Sequence, residues 1–408
     1  MNEELAKIAQ KYGTPSFVFD ICLLKKRMEA IKNLCGNKIH LCYSIKANPF
    51  LIPAMLSLEG VEKLEVCSPG ELDICKHYKV PADKIIYSGV NKTQQNIHDA
   101  VAYNAGIYTA ESLLQVEELE REAEISKKSL PVLLRLTAGS QFGMSKEVLY
   151  SIIENKNQYS HLEIKGIHYF AGTQRKRSSD QEKDLQLLKN VMTELKENFN
   201  FTLEKLEYGP GLPFPYFEGD DFSDTLSPIK SIIPDLQSLA ESVELTIEMG
   251  RFFVSECGNY LTTVMDTKNN FDTNYVILDG GINHLSYLGQ LMGMKVPLIE
   301  IISKKSNLKS QETGQATELS ADENIDQTLC GSLCTTADVL VRKVSMPALQ
   351  NGDILAFKNC GAYTITEGMY LFLSRTMPKV ILIDEASQGS RTISVARNFM
   401  ESSSLNRM

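Results

Sequence analysis

The 408 residues contain no tryptophan and no apolar run of the roughly 18 residues that a membrane span requires. The opening MNEELAKIAQ carries neither the basic nor the apolar segment of a secretion signal. The missing tryptophan carries no functional message; the other two absences predict a cytoplasmic protein with no membrane partner. Positive charge is in deficit too, 42 Lys and Arg against 51 Asp and Glu for a net charge of −9, which disfavours nucleic acid as a partner. The nine cysteines are odd in number and scattered, so they read as reduced thiols. Cys330 and Cys334 stand four apart without a second pair, and the six histidines are dispersed, so no metal site is expected.

What remains is ordinary globular texture, 43% hydrophobic and 23% charged, over a length of two to three domain equivalents. Eight short runs rich in Val, Ile, Leu and Tyr recur in the first 250 residues: 39–46, 63–68, 84–89, 106–110, 131–137, 164–170, 205–209 and 244–250. Helix-length polar segments such as 111–124 and 180–199 separate them. The alternation predicts an α/β fold, a (β/α)8 TIM-like barrel over 36–250, with an open doubly wound sheet as the alternative. Lys46, Phe170, Gly209 and Glu248 fall at or just past strand C-termini, where such a barrel builds its site. Residues 251–408 read as a C-terminal all-β domain, and the segment 1–35 carries a strand, PSFVFD, that joins it. The polar stretch 302–326 reads as an exposed hairpin tip or mobile loop.

Lys46 ends a strand in YSIKANPF, among apolar neighbours that favour an unprotonated, nucleophilic amine. Taken alone, it also reads as a snorkelling strand-end lysine. EYGPGLPFPY (207–216) is a glycine-rich turn suited to cradling phosphate or simply to turning. Glu248 and Arg251 flank Gly250 in IEMGRFF, and CGSLCTTAD (330–338) and NCGAY (359–363) place thiols and a tyrosine in the β domain.

Taken in order, these motifs resemble the fold-type III pyridoxal-phosphate decarboxylases, which include diaminopimelate and ornithine decarboxylases. The resemblance implies pyridoxal 5'-phosphate as cofactor, held covalently by Lys46, with Glu248 paired to its ring nitrogen. It implies that Gly209, Gly211, Gly250, Arg251, Thr173 and Tyr363 hold the phosphate and that Glu71 of CSPGEL lies near the cofactor. It also implies a homodimer with shared active sites, in which Cys334 of one subunit protonates the product formed in the other. A carboxylate at the ring nitrogen suits decarboxylation, because a protonated ring is the stronger electron sink.

The departures concern the ring and the substrate. Phe170 stands where diaminopimelate decarboxylases have a stacking histidine, and Pro210 replaces a cradle glycine and its N–H. DGGINHLSYLGQ lacks the arginine that grips a distal carboxylate, and Thr335 is neutral where relatives carry an acid for a distal ammonium. In these details the chain resembles natural-product decarboxylases acting on carrier-bound or conjugated amino acids. That implies a small-molecule or carrier-protein-bound substrate met by Thr335, with Arg175, in the run Arg175-Lys176-Arg177, and His284 as further candidates for the distal end. The alternatives are a true meso-diaminopimelate decarboxylase and a non-catalytic decarboxylase-like binding protein.

Overall fold

In the computed structural model, which describes residues 2–288, 293–304, 324–385 and 390–407, all eight runs are strands. Strand β1 (Ser16–Asp20) lies outside the barrel. The barrel comprises β2 (Ile39–Ser44), β3 (Val61–Val66), β4 (Ile85–Tyr87), β5 (Ile107–Ala110), β6 (Leu130–Leu136), β7 (Leu162–Phe170), β8 (Lys205–Gly209) and β9 (Glu244–Met249). Every neighbouring pair is parallel, and β9 pairs back onto β2 from Ile39↔Leu245 to Tyr43↔Met249. The sheet therefore closes, which excludes the open alternative. Crossover helices begin where a side chain can take up free N–H groups: Ser68, Thr93, Ser112 and Ser145 each cap one. Residues 25–214 and 223–253 form this unit.

The second unit gathers residues 1–24, 215–222 and 254–408 around β10 (Gly258–Asn270), β11 (Thr273–Leu278), β12 (Ile299–Ser303), β13 (Asn324–Cys330), β14 (Val339–Pro347), β15 (Ile354–Lys358), β16 (Lys379–Glu385) and β17 (Arg391–Arg397). β1 lies between β10 and β16 with both faces covered, which is why SFVFD is buried throughout. Val18 packs with Leu261, Ile381 and the helix Asn2–Tyr12, while Phe17 meets Tyr260. A bulge between Val264 and Asp266 lets the long β10 serve three partners: its first half pairs with β1 and β15, its second with β11. Of the polar stretch 302–326, residues 302–303 end β12 and 324–326 begin β13; residues 305–323 lie outside the described residues. No helix among the described residues is long and apolar enough to cross a membrane.

Candidate active site

Alternation along a strand sends every second side chain into the barrel. That phase carries Ser44 on β2, Glu65 on β3, His168 on β7, Glu207 on β8 and Glu248 on β9. Lys46 follows β2 by two residues, in a single 3-10 turn, Ile45–Ala47. Its ammonium donates to Glu65 Oε2 at 2.6 Å and stands 3.6 Å from Glu248 Oε1 and 3.8 Å from Cys67 Sγ. The lysine side chain is 40% exposed, whereas Glu65 and Glu248 are 2% and 6% exposed. The amine thus faces an opening with buried carboxylates behind it.

Glu248 is held from three sides: Ser44 Oγ donates to Oε1 at 2.5 Å, His168 Nε2 lies 3.0 Å from Oε2, and Lys46 adds its charge. Burial alone would raise its pKa, but Lys46 and His168 outweigh burial and hold it well below the usual carboxylate range. Glu65 goes the other way: burial and the charge of Glu248 raise it despite Lys46. Burial would lower His168, yet Glu207 and the bond to Glu248 leave it raised. The site therefore keeps one firmly ionised carboxylate.

Two loops beside this cluster are stapled together. Gln174 and Phe214 exchange a reciprocal pair, Nε2 to the Phe214 carbonyl at 2.9 Å and the Phe214 N–H to Oε1 at 2.7 Å. Arg175 N–H donates to the Gly211 carbonyl at 3.0 Å. Gly211 has φ +60°, and a Cβ there would fall 1.8 Å from the Gly172 carbonyl oxygen; one at Gly209 would fall 2.5 Å from the Phe170 ring. Gly209 and Gly211 therefore leave their backbone bare, as a phosphate cradle requires, while Pro210 between them offers no N–H. Gly211→Ala is expected to cost roughly 1 to 3 kcal/mol in left-handed strain alone, visible as a lowered Tm. It should also weaken cofactor binding by at least about ten-fold; unchanged Tm and affinity would show that the turn is not held as described.

The other expected residues are distributed as follows. Thr173 is exposed and Phe170 half-buried at the same mouth, and Gly250 and Arg251 follow β9, with a Cβ on Gly250 falling 2.8 Å from that of Ala47. Glu71 turns back to accept the Cys67 N–H at 2.7 Å, next to the cap that Ser68 places on its helix. Arg175 points its guanidinium onto buried Asp184, which also accepts from Tyr208 at 3.0 Å, so it braces the loop instead of facing outward. In the second unit Cys334 is exposed, in a loop pinned by Asp338, which accepts the Leu333 N–H at 2.7 Å and the Ile282 N–H at 2.9 Å. Thr335 opens onto a groove of about 830 Å³. Tyr363 sits in a left-handed turn at φ +64°. His284 is buried against Tyr260, Asn283 and Tyr370, and burial pushes it down to about 4, so it is neutral and offers no charge.

Glu65, His168 and Glu207 were missed by reasoning from motifs. His168 carried a signal, a polar residue in phase with Leu162, Ile164 and Gly166 on β7, whereas Lys63 and Lys205 share the phase of Glu65 and Glu207 and masked theirs.

A lysine amine at the mouth of a parallel barrel, backed by an ionised carboxylate and flanked by a bare-backbone turn, defines an enzyme that carries a carbonyl cofactor on lysine. The family model described as "Pyridoxal-dependent decarboxylase, pyridoxal binding domain" matches residues 22–255, more than half of the chain, and the chain belongs to this family. It is 25% identical over 402 residues to L-glutamyl-[BtrI acyl-carrier protein] decarboxylase of Niallia circulans, covering 93% of this chain and 91% of that protein. It is 26% identical to 2-[(L-alanin-3-ylcarbamoyl)methyl]-2-hydroxybutanedioate decarboxylase of Staphylococcus aureus, covering 93% and 96%. In fold it is similar to diaminopimelate decarboxylase from M. jannaschii in complex with L-lysine, with a TM-score of 0.82 at 22% identity, covering 98% and 93%. Pyridoxal phosphate is the cofactor of the family, and the residues present fit it: an accessible amine, a buried anion and an open cradle.

Proposed function

We propose that this pyridoxal-phosphate-dependent carboxy-lyase removes the α-carboxylate of an amino acid whose distal end is modified or tethered, as an amide or a carrier-bound group. The observation that carries the reading is neutral Thr335, next to exposed Cys334. A free diamino acid would find no charged anchor at Thr335, and buried His284 supplies none. The names of the two relatives, one a carrier-bound glutamyl group and the other an amide conjugate, support the same substrate class.

Pyridoxal phosphate, when bound, supplies an aldehyde that condenses with amines and a ring that accepts the electron pair left as carbon dioxide departs. In this reading Lys46 holds it covalently. Glu248, kept anionic by Lys46 and His168, holds a proton at the ring nitrogen. Gly209, Gly211, Gly250, Arg251, Thr173 and Tyr363 hold its phosphate, Phe170 lies against the ring, and Glu71 fixes the helix start beside Cys67. The Cys334 thiol delivers the proton that replaces the carboxylate. The protein acts in the cytoplasm as a homodimer whose subunits exchange Cys334.

Two measurements test this. Charge-assisted bonds contribute roughly 1.5 to 3 kcal/mol each, about ten- to a hundred-fold per contact. Free diaminopimelate, ornithine and lysine should therefore react at least about ten-fold more slowly than amide-linked or carrier-bound counterparts. A kcat/KM for free meso-diaminopimelate above roughly 10⁴ M⁻¹s⁻¹ would favour the true diaminopimelate decarboxylase instead. For the shared site, mixing inactive Lys46→Ala and Cys334→Ala subunits should restore about a quarter of the sites under free exchange. No recovery despite proven exchange would place both residues in one subunit.

A further inference from the structure

Glu207 has no part in the roles above, yet it is among the most enclosed carboxyls in the barrel. It is 1% exposed and, apart from the weak thiol of Cys42 beside it, neither of its oxygens has a hydrogen-bond partner. Its register partner on β7 is His168, whose Nδ1 is also buried without a partner. An ionised carboxylate in that setting is costly.

The charges around it decide its form. Lys46 stands between Glu65 and Glu248, and His168 and Ser44 complete the shell of Glu248. The two cations, Lys46 and His168, are thus both engaged by Glu248 and Glu65. Arg135, facing from β6, is spent on Glu111 at 2.8 Å. The groups facing Glu207 are Cys42 on β2, Glu65 on β3, His168 on β7 and Glu248 on β9. Among these only His168 is cationic, and its Nε2 is committed to Glu248. If Glu207 were anionic it would compete for that imidazolium, the support that keeps Glu248 ionised.

We propose that Glu207 is the protonated acid of this site and a positioning residue for the reaction: being neutral, it leaves the charge of His168 to Glu248. Burial and the charges of Glu248 and Glu65 push it up to about 8, against the pull of His168, so its proton is lost only in mild alkali. Its use in holding the ring nitrogen rests on the reading above; its protonation does not.

Infrared difference spectra of the cofactor-free full-length protein test the protonation. A carboxylic-acid C=O band, shifted by deuterium and by ¹³C-glutamate labelling, is expected at pH 7, fading above about pH 8 and absent from Glu207→Gln. Absence of the band in labelled wild-type protein overturns the assignment without needing any variant. Stability supplies the second readout. Because the folded pKa is raised above the unfolded value, the stabilisation is full below about pH 4.5 and is lost as pH rises towards 8. Glu207→Gln cannot ionise, so its Tm should gain on wild type between pH 5 and 8; a constant difference contradicts the proposal. Finally, pyridoxal phosphate binding, followed by absorbance, should match wild type at pH 7 in Glu207→Gln and hold to higher pH, by about one unit. Binding weakened by about ten-fold or more at pH 7 in Glu207→Gln would refute the positioning role, whereas failure of wild type to bind the cofactor at all would overturn the reading of the site.

Discussion

Lys46→Ala should lose decarboxylation by roughly 10³-fold or more, and borohydride reduction of the loaded wild-type protein should label Lys46 and no other lysine. The rival amine is Lys92, also just beyond a barrel strand. Its ammonium is buried and donates to the Gly89 and Thr109 carbonyls and to Gln115 Oε1, at 2.6 to 2.8 Å. Burial pulls it down to about 8, but three neutral acceptors already satisfy its N–H groups and the residue is only 8% exposed. Lys46 is half-open, and of the carboxylates that meet its charge Glu248 also has Ser44 and His168 as partners. A label on Lys92, or none after loading, would sink the assignment. The variant also leaves Glu65 and Glu248 facing each other without the ammonium that lowers both, so its Tm should fall further at neutral pH than in acid, where the carboxyls are protonated.

Glu248→Gln separates holding the cofactor from using it. Glutamine keeps the size and can still meet Ser44 and His168, so the fold and the label on Lys46 should survive. It carries no negative charge to keep a proton on a ring nitrogen, and decarboxylation should fall by about 10² to 10³, the scale of losing one fixed electrostatic contact. Stability should follow the sign of the pKa shift. Glu248 is depressed in the folded state, so its stabilisation is present above about pH 4.5 and disappears as pH falls through its lower folded value. The Tm gap between wild type and Glu248→Gln should therefore be widest at neutral pH and close in acid. Near-normal kcat in the variant would show that the charge at this position is dispensable.

By itself the sequence determined the eight strands to within about two residues, their alternation with helical crossovers, and the positions of Lys46, Glu248 and the 209–211 turn at strand C-termini; closure of the sheet, against the open doubly wound alternative, was decided by the pairing of β9 with β2. Those features depend on local period, capping and glycine, all of which are written along the chain. PSFVFD was legible as a strand for the same reason, since three consecutive β-favouring residues, Phe17, Val18 and Phe19, suit a strand covered on both faces. Only the tertiary structure decided which inward side chains meet. Glu65, not Glu71, receives the Lys46 ammonium, because β3 lies next to β2 whereas Glu71 closes a local turn onto the Cys67 N–H. Arg175 looked like part of a basic run at the mouth, but a helix brings Asp184 back beneath it, nine residues on. His168 reaches Glu248 across an intervening strand, and Glu207 is left facing the imidazole without a cation of its own. Periodicity assigns a residue to a face; the stagger and closure of the barrel decide its partner, and with it its charge.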